Sequence, residues 1–211
     1  MGKQIHLNKI VRLFDKSPVV DFRSIERVVG VKKKSSYTKL LISNLLKKGK
    51  IHKIGKGVYS KFPESSLSVF VFKPAYLGLQ SALSFHNLWE QETIPVILTT
   101  KKVRRGPRKV MGSNILVKNV DKKYFFGFNY CKEGDFYLPY SDVEKTFIDL
   151  VVFNQKISLE TIAKMRGKID KKKLTRYLMK YSNKMRGKIE KKFGKMTSSI
   201  KNHKLKKAVS K

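Results

Sequence analysis

Between Gln4 and Phe62 the apolar positions recur three times at helical spacing and then begin to alternate. Ile5, Leu7, Ile10, Val11, Leu13 and Phe14 mark a first helix. Ser17-Pro18 ends it, because the residue before a proline is disfavoured in the α region. A second helix starts near Asp21, whose side chain can accept from the first free amides, carries Ile25 and Val28-Val29 on one side, and stops at Gly30. A third follows the basic run Lys32-Lys33-Lys34, takes Ser35 or Ser36 as its cap, and continues through YTKLLISNLLKK to Gly49. At about 100° per residue it places Thr38, Leu41, Ile42, Leu45 and Gly49 on one arc. Ser36, Leu40, Ser43 and Lys47 fall opposite, flanked by Tyr37, Lys39 and Asn44. In GKIHKIGKGVYSKF, Ile51, Ile54 and Val58-Tyr59 predict two strands joined by a tight basic turn at Gly55-Lys56-Gly57.

Three helices followed by a basic hairpin is the winged helix-turn-helix order, and LLISNLLKKGKIHKIGKGVYSK resembles that family. The outward arc of the third helix is small, polar and basic, which suits a helix that must approach base edges in a major groove. Ser35, Ser36, Tyr37, Lys39, Leu40 and Ser43 are candidate DNA contacts on it, with Lys47 at its end and Lys53 and Lys56 on the hairpin. The lysines would meet phosphates, whereas base reading would fall to the short side chains.

After Pro63 the texture changes. LSVFVF reads as a strand, and Pro74 as the start of a helix through AYLGLQSALSFHNLW that turns Tyr76, Leu79, Leu83, His86 and Leu88 to one side. Further strands are predicted at 94–100, 114–120, 123–129 and 136–138, separated by Gly106-Pro107, Gly112, Asp121 and Glu133-Gly134-Asp135. Ser141 to Glu144 reads as a capping box opening a helix with Phe147, Ile148 and Leu150-Val151 on its packed side. The expected class is α+β: a winged helix over 1–63, a central α+β domain with a mixed or antiparallel sheet over 64–155, and a Lys-rich helical extension with a frayed end over 156–211.

The extension contains an internal repeat: KMRGKIDKK at 164–172 returns as KMRGKIEKK at 184–192. Two copies are too few for a solenoid. The apolar spacing predicts short amphipathic helices, with breaks at Gly167 and Gly187.

Charge sharpens the division. The 211 residues carry a net charge of +33, distributed as +13 over 1–63, +3 over 64–155 and +17 over 156–211. A cationic surface of that density destabilises a compact chain through self-repulsion and calls for a polyanionic partner. The loop sequence KKVRRGPRK adds Arg104, Arg105 and Arg108, whose forked guanidinium groups suit phosphate. For the C-terminal segment three uses stand open: extra DNA grip, docking on an acidic face of a partner, or a solvated tail.

Other chemistry finds little support. One cysteine, Cys131, and four scattered histidines supply no metal-ligand spacing, and no cofactor motif is present. His86, Asp135, Asp142, Glu144 and Asp149 are the candidate catalytic side chains. Each has a simpler role: His86 beside the core, Glu144 in a helix cap, Asp149 as a surface or capping charge. Glu144 and Lys145, neighbours on one helix, point about 100° apart and do not enter one site easily. The expectation is a non-enzymatic protein. No apolar run reaches the ~20 residues of a membrane span, and a cytoplasmic location is expected.

The winged-helix pattern, followed by YLGLQSALSFHNLWEQ, IPVILTTKKVRRGPRK, Phe126-Gly127 and YSDVEKTFIDL, resembles the AbiEi-like antitoxins of type IV toxin–antitoxin systems across about residues 5–153. The resemblance implies a transcriptional autorepressor that binds repeats in its own promoter through the winged helix. Its implied partner is a nucleotidyltransferase-like toxin encoded beside it. The second domain would carry the antitoxin function and assist DNA binding. The rival reading is an interaction module that holds an acidic enzyme directly. The operator and oligomeric state stay open, and the basic end lies outside the resemblance.

Overall fold

The computed structural model describes residues 2–30 and 35–194, with side chains from Ile5 onward. The run Lys32-Lys33-Lys34, any cap before Ser35 and the tail from Lys195 lie outside the described residues. The fold is α+β.

The N-terminal unit follows the predicted pattern closely. Helix α1 (Gly2–Lys16) ends before Ser17-Pro18. Helix α2 (Phe22–Val29) is capped by Asp21, which accepts the Ser24 N–H at 2.8 Å, and ends at Gly30 with φ of 103°. Helix α3 (Ser35–Lys47) buries Thr38, Leu41, Ile42 and Leu45, whereas Gly49, past its end, is exposed. Strands β2 (His52–Gly55) and β3 (Val58–Ser60) form the hairpin, turned by Lys56-Gly57 with Gly57 at φ 67°. A strand with no counterpart in the sequence pattern, β1 (Val19–Asp21), adds to β3, giving the antiparallel order β1-β3-β2. Three residues are too few to show a period. Ile10, Phe14, Ile25, Leu41 and Leu45 lead a core that also takes Val20, Ile51 and Tyr59.

The centre departs from expectation at several points. LSVFVF is a 3-10 helix (Ser65–Phe72), not a strand. A short apolar run does not distinguish the two, and here it lies across the underside of a sheet as a plug. Pro74 opens no helix: it follows a cis peptide and leads into strand β4 (Ala75–Leu77). The helix begins only after Gly78 and Leu79, the latter at φ 53°, as α4 (Gln80–Phe85). The predicted one-sided burial of Tyr76, Leu79, Leu83 and Leu88 survives this change, since all four enter one core.

Strands β5 (Val96–Thr99) and β7 (Ser113–Asn119) lie where predicted. Gly106-Pro107 is not a loop but the start of strand β6 (Gly106–Val110), on the sheet edge where a missing N–H is tolerated. The strand expected over 123–129 is displaced: Lys122–Tyr124 is a 3-10 turn, and β8 runs Phe128–Glu133. β9 spans Phe136–Ser141. The mixed sheet has the order β6-β7-β5-β4-β9-β8, with parallel pairing at β5/β7 and β4/β9.

Alternation along β4 and β5 divides this sheet into two faces. Tyr76, Val96 and Leu98 point to one core, and Ala75, Leu77 and Ile97 to the other. Helices α5 (Val143–Val152), α6 (Leu159–Lys168), α7 (Lys171–Leu178) and α8 (residues 183–194) cover the first face. The Lys-rich segment is therefore part of the core: Ile162, Met165, Ile169, Leu174, Leu178, Tyr181 and Ile189 are buried in it.

The repeat adopts two conformations. In the first copy the helix breaks at Ile169-Asp170, and Asp170 caps α7 by accepting the Lys172 and Lys173 N–H groups at 2.8 and 3.2 Å. In the second, Ile189-Glu190 is helical. The copies differ by Asp against Glu, and Asp is the strong N-cap. Gly167 and Gly187 break neither helix; both lie inside one.

Helix α5 is held by polar contacts. Its cap is Asp142, not Ser141: Asp142 Oδ1 accepts the Lys145 N–H at 2.8 Å. Asp142 Oδ2 takes the Tyr177 hydroxyl at 2.7 Å and the Lys173 ammonium at 3.1 Å. Glu144 does not close a box but accepts the Asp170 N–H at 2.8 Å and pairs with Lys173 at 2.9 Å. Asp149 is not a surface charge. It is 1% exposed, hydrogen-bonded by the Tyr76 hydroxyl at 2.8 Å and by the Lys145 ammonium, itself 0% exposed. Burial raises the Asp149 carboxyl above its usual range against the pull of Lys145 and Tyr76. The Tyr76 phenol is pushed well up by burial and by the adjacent carboxylate.

Removing one member of this pair strands the other charge. Lys145→Met should cost about 3–5 kcal/mol in urea unfolding, and Lys145→Met combined with Asp149→Leu should recover most of it. A double-variant loss equal to the sum of the Lys145→Met and Asp149→Leu losses would show that the pair is not coupled.

Candidate nucleic-acid interface

The outward side of α3 is set by what its inward side must bury. With Thr38, Leu41, Ile42 and Leu45 in the core, Ser35, Ser36, Lys39, Leu40 and Lys47 are exposed, while Ser43 and Tyr37 are half-buried. Leu40 is 53% exposed, an isolated apolar side chain among small polar and basic ones. Tyr37 packs edge-on against His6 of α1, with ring centroids 5.9 Å apart, so part of its surface is committed to the fold.

On the hairpin, Lys53 and Lys56 are exposed. Lys61, just beyond it, pairs with Asp15 at 3.4 Å. Lys53 and Ile54 alternate as a strand requires, so Ile54 turns inward as Lys53 faces solvent. Ile54 enters the core of the central unit rather than that of its own. Val19, Val58 and Phe62 pack against the same core. Gly55 fits closely over the 3-10 segment: a Cβ there would lie 2.6 Å from Val71 Cγ1.

This docking places β2 beside β6, and so brings the arginine-rich segment next to the hairpin. Arg104 and Arg105 are exposed in the turn before β6. Arg108, on β6, is half-buried: its Nη2 donates to the Arg104 carbonyl at 2.6 Å, and its guanidinium lies 5.3 Å from the Phe72 ring centre. Arg108 thus braces the turn that presents Arg104 and Arg105. Lys101 adds a second brace, donating to the Val71 carbonyl at 3.1 Å.

The candidate contacts therefore fall into two groups, one on α3 and one on the hairpin and the β6 turn. The docking role of Ile54, Gly55 and Val71 was not legible in the sequence, because nothing in a local pattern tells which core an apolar residue joins. A hint lay in Gly55-Lys56-Gly57, where Gly57 alone takes a left-handed φ, so that Gly55 answers to another constraint.

Four of the candidate catalytic side chains are taken into structural contacts: Asp142, Glu144 and Asp149 as described, and His86 through Nε2 to the Ser141 carbonyl at 2.8 Å. Asp135 is exposed in the β8–β9 turn. Among the described residues no helix is long and apolar enough to cross a membrane.

No protein-family model matches the chain, and no curated protein matches it. A solved structure does: the RV2827C protein from Mycobacterium tuberculosis, at a TM-score of 0.58 and 11% identity, over 90% of this chain and 76% of that one. The likeness is one of fold.

The close approach at Gly55 is testable. Its φ is not left-handed, so Gly55→Ala tests packing alone and should cost about 1–3 kcal/mol, the usual range for overpacking. Val71→Ala in the same chain should relieve it, making the double variant more stable than the two single losses add up to. Strict additivity in denaturant unfolding would contradict the contact.

Proposed function

We infer that the chain is a DNA-binding transcriptional autorepressor whose N-terminal unit is a winged helix-turn-helix, and that it is the antitoxin of a type IV toxin–antitoxin pair with a nucleotidyltransferase-like toxin. The observation that carries the DNA reading is the exposed, small and basic side of α3 opposite its buried one. The hairpin lysines and the arginine turn beside them support it. In this reading α3 enters a major groove. Ser36, Lys39, Leu40 and Ser43 meet base edges, Leu40 being suited to a thymine methyl group. Lys47, Lys53, Lys56, Arg104 and Arg105 hold phosphates, and Arg108 positions their turn. The antitoxin half rests on the resemblance to AbiEi-like antitoxins. The capture of Asp142, Glu144 and Asp149 in structural contacts favours a binding role over a catalytic one.

Charge reversal at Lys53 and Lys56 should weaken binding to every duplex about equally and flatten its salt dependence by about 0.9 in log–log slope for each phosphate the variant no longer neutralises. Leu40→Ala or Ser43→Asn should instead change the ranking of duplexes and leave the slope alone. Fluorescence anisotropy over a salt series separates the two. If neither class of variant moves binding, the assignment of α3 and the hairpin is wrong.

A further inference from the structure

The C-terminal helices lie across the sheet from the hairpin, so their lysines do not extend the surface that carries Lys53, Arg104 and Arg105. On that far side the end of α5 and helix α8 enclose a cleft of about 330 Å³. Half-buried Ile157 lies at its base over the buried Leu150 and Val151, Asn154 and Gln155 line it beside them, and its rim carries Lys156, Lys188, Lys191 and Lys192. Among the described residues no carboxylate lines it. Among them, too, none of the four lysines forms an ion pair, and Lys188 donates only to Asn154 Oδ1, at 2.7 Å.

Lys188, Lys191 and Lys192 are three and four positions apart on one helix, a spacing at which like charges destabilise it. Glu190 is about 150° around the helix from the centre of that stripe and does not offset it. The C-terminal end of α5 presents roughly half a negative charge, too little to balance four ammonium groups. Among the described residues none supplies the countercharge, which leaves the stripe open to an anionic partner.

We propose that this cleft docks an acidic, amphipathic segment of a partner protein, with an aliphatic side chain of the partner on Ile157 and its carboxylates on the lysine rim. The floor decides between polyanions. A single-stranded nucleic acid would use aromatic side chains for stacking, and none of the described residues lining the cleft is aromatic; a duplex backbone would meet the lysines and leave Ile157 without an apolar contact. An apolar floor within a charged rim is the anatomy of a protein interface. The site is independent of the DNA reading, and one molecule can hold both ligands at once.

The test uses the full chain and a labelled short peptide with Leu at helical i, i+3, i+4 and i+7 positions and Asp or Glu elsewhere. In anisotropy at physiological salt this peptide should bind at least about tenfold more tightly than polyglutamate of equal charge. Lys188→Gln, Lys191→Gln and Lys192→Gln together should weaken it by at least about tenfold, with duplex binding unchanged. Lys156→Gln, outside α8, should weaken it separately. Duplex DNA should not displace the peptide. Equal binding of polyglutamate, displacement by single-stranded RNA of the same charge, or no loss in the lysine variants would each overturn the proposal. Failure of duplex binding alone would count against the DNA reading and leave the cleft standing.

Discussion

The placement of Ile54 in the core of the central unit fixes the relation between the hairpin and the rest of the molecule. Burying an isoleucine contributes about 1.5–3 kcal/mol, and here it also chooses where a strand lies. Gly55 allows β2 to close on Val71, and the contact sets β2 beside β6. Two basic segments far apart in sequence, the hairpin and the arginine turn, become neighbours through one aliphatic side chain and one missing Cβ. A more flexible tether between the units would leave them as separate cations.

The six-stranded sheet divides the molecule's charge as well as its core. One face carries the 3-10 segment and the docked hairpin; the other carries α5 to α8. The second layer is anchored around α5, where Asp142 and Glu144 gather Lys173, Tyr177 and the α7 cap. Beneath them Lys145 and Asp149 neutralise each other out of water. The lysines left over on α8 find no such partners within the described chain.

What was legible in the sequence was local. Asp21 and Gly30 bound α2 because an N-cap needs a side-chain acceptor and a left-handed stop needs the absence of a Cβ, and the buried arc of α3 follows from its period. Segments whose local pattern fits two conformations were misplaced when tertiary context chose between them. LSVFVF fits a strand or a tight helix, and the sheet's underside selects the latter. Pro107 looks like a turn until the free edge of β6 accommodates it. Asp149 looks like a surface acid until Lys145, one turn earlier, is seen to be buried with it. The repeat shows the finest distinction: one methylene, Asp170 against Glu190, separates a helix start from a helix interior. For the candidate interface, the residue types on α3 and the hairpin were readable, but their assembly with the arginine turn required the docking at Ile54.

The most direct test of α3 as a reader of DNA sequence is binding of the purified chain to the duplex upstream of its own coding sequence, against a scrambled duplex of equal length, titrated from low to physiological salt. A preference for the upstream duplex that persists at physiological salt is the expected result, as base-edge contacts from α3 require. Equal binding to both duplexes that collapses as salt rises would contradict it, leaving a polycation whose specificity lies elsewhere.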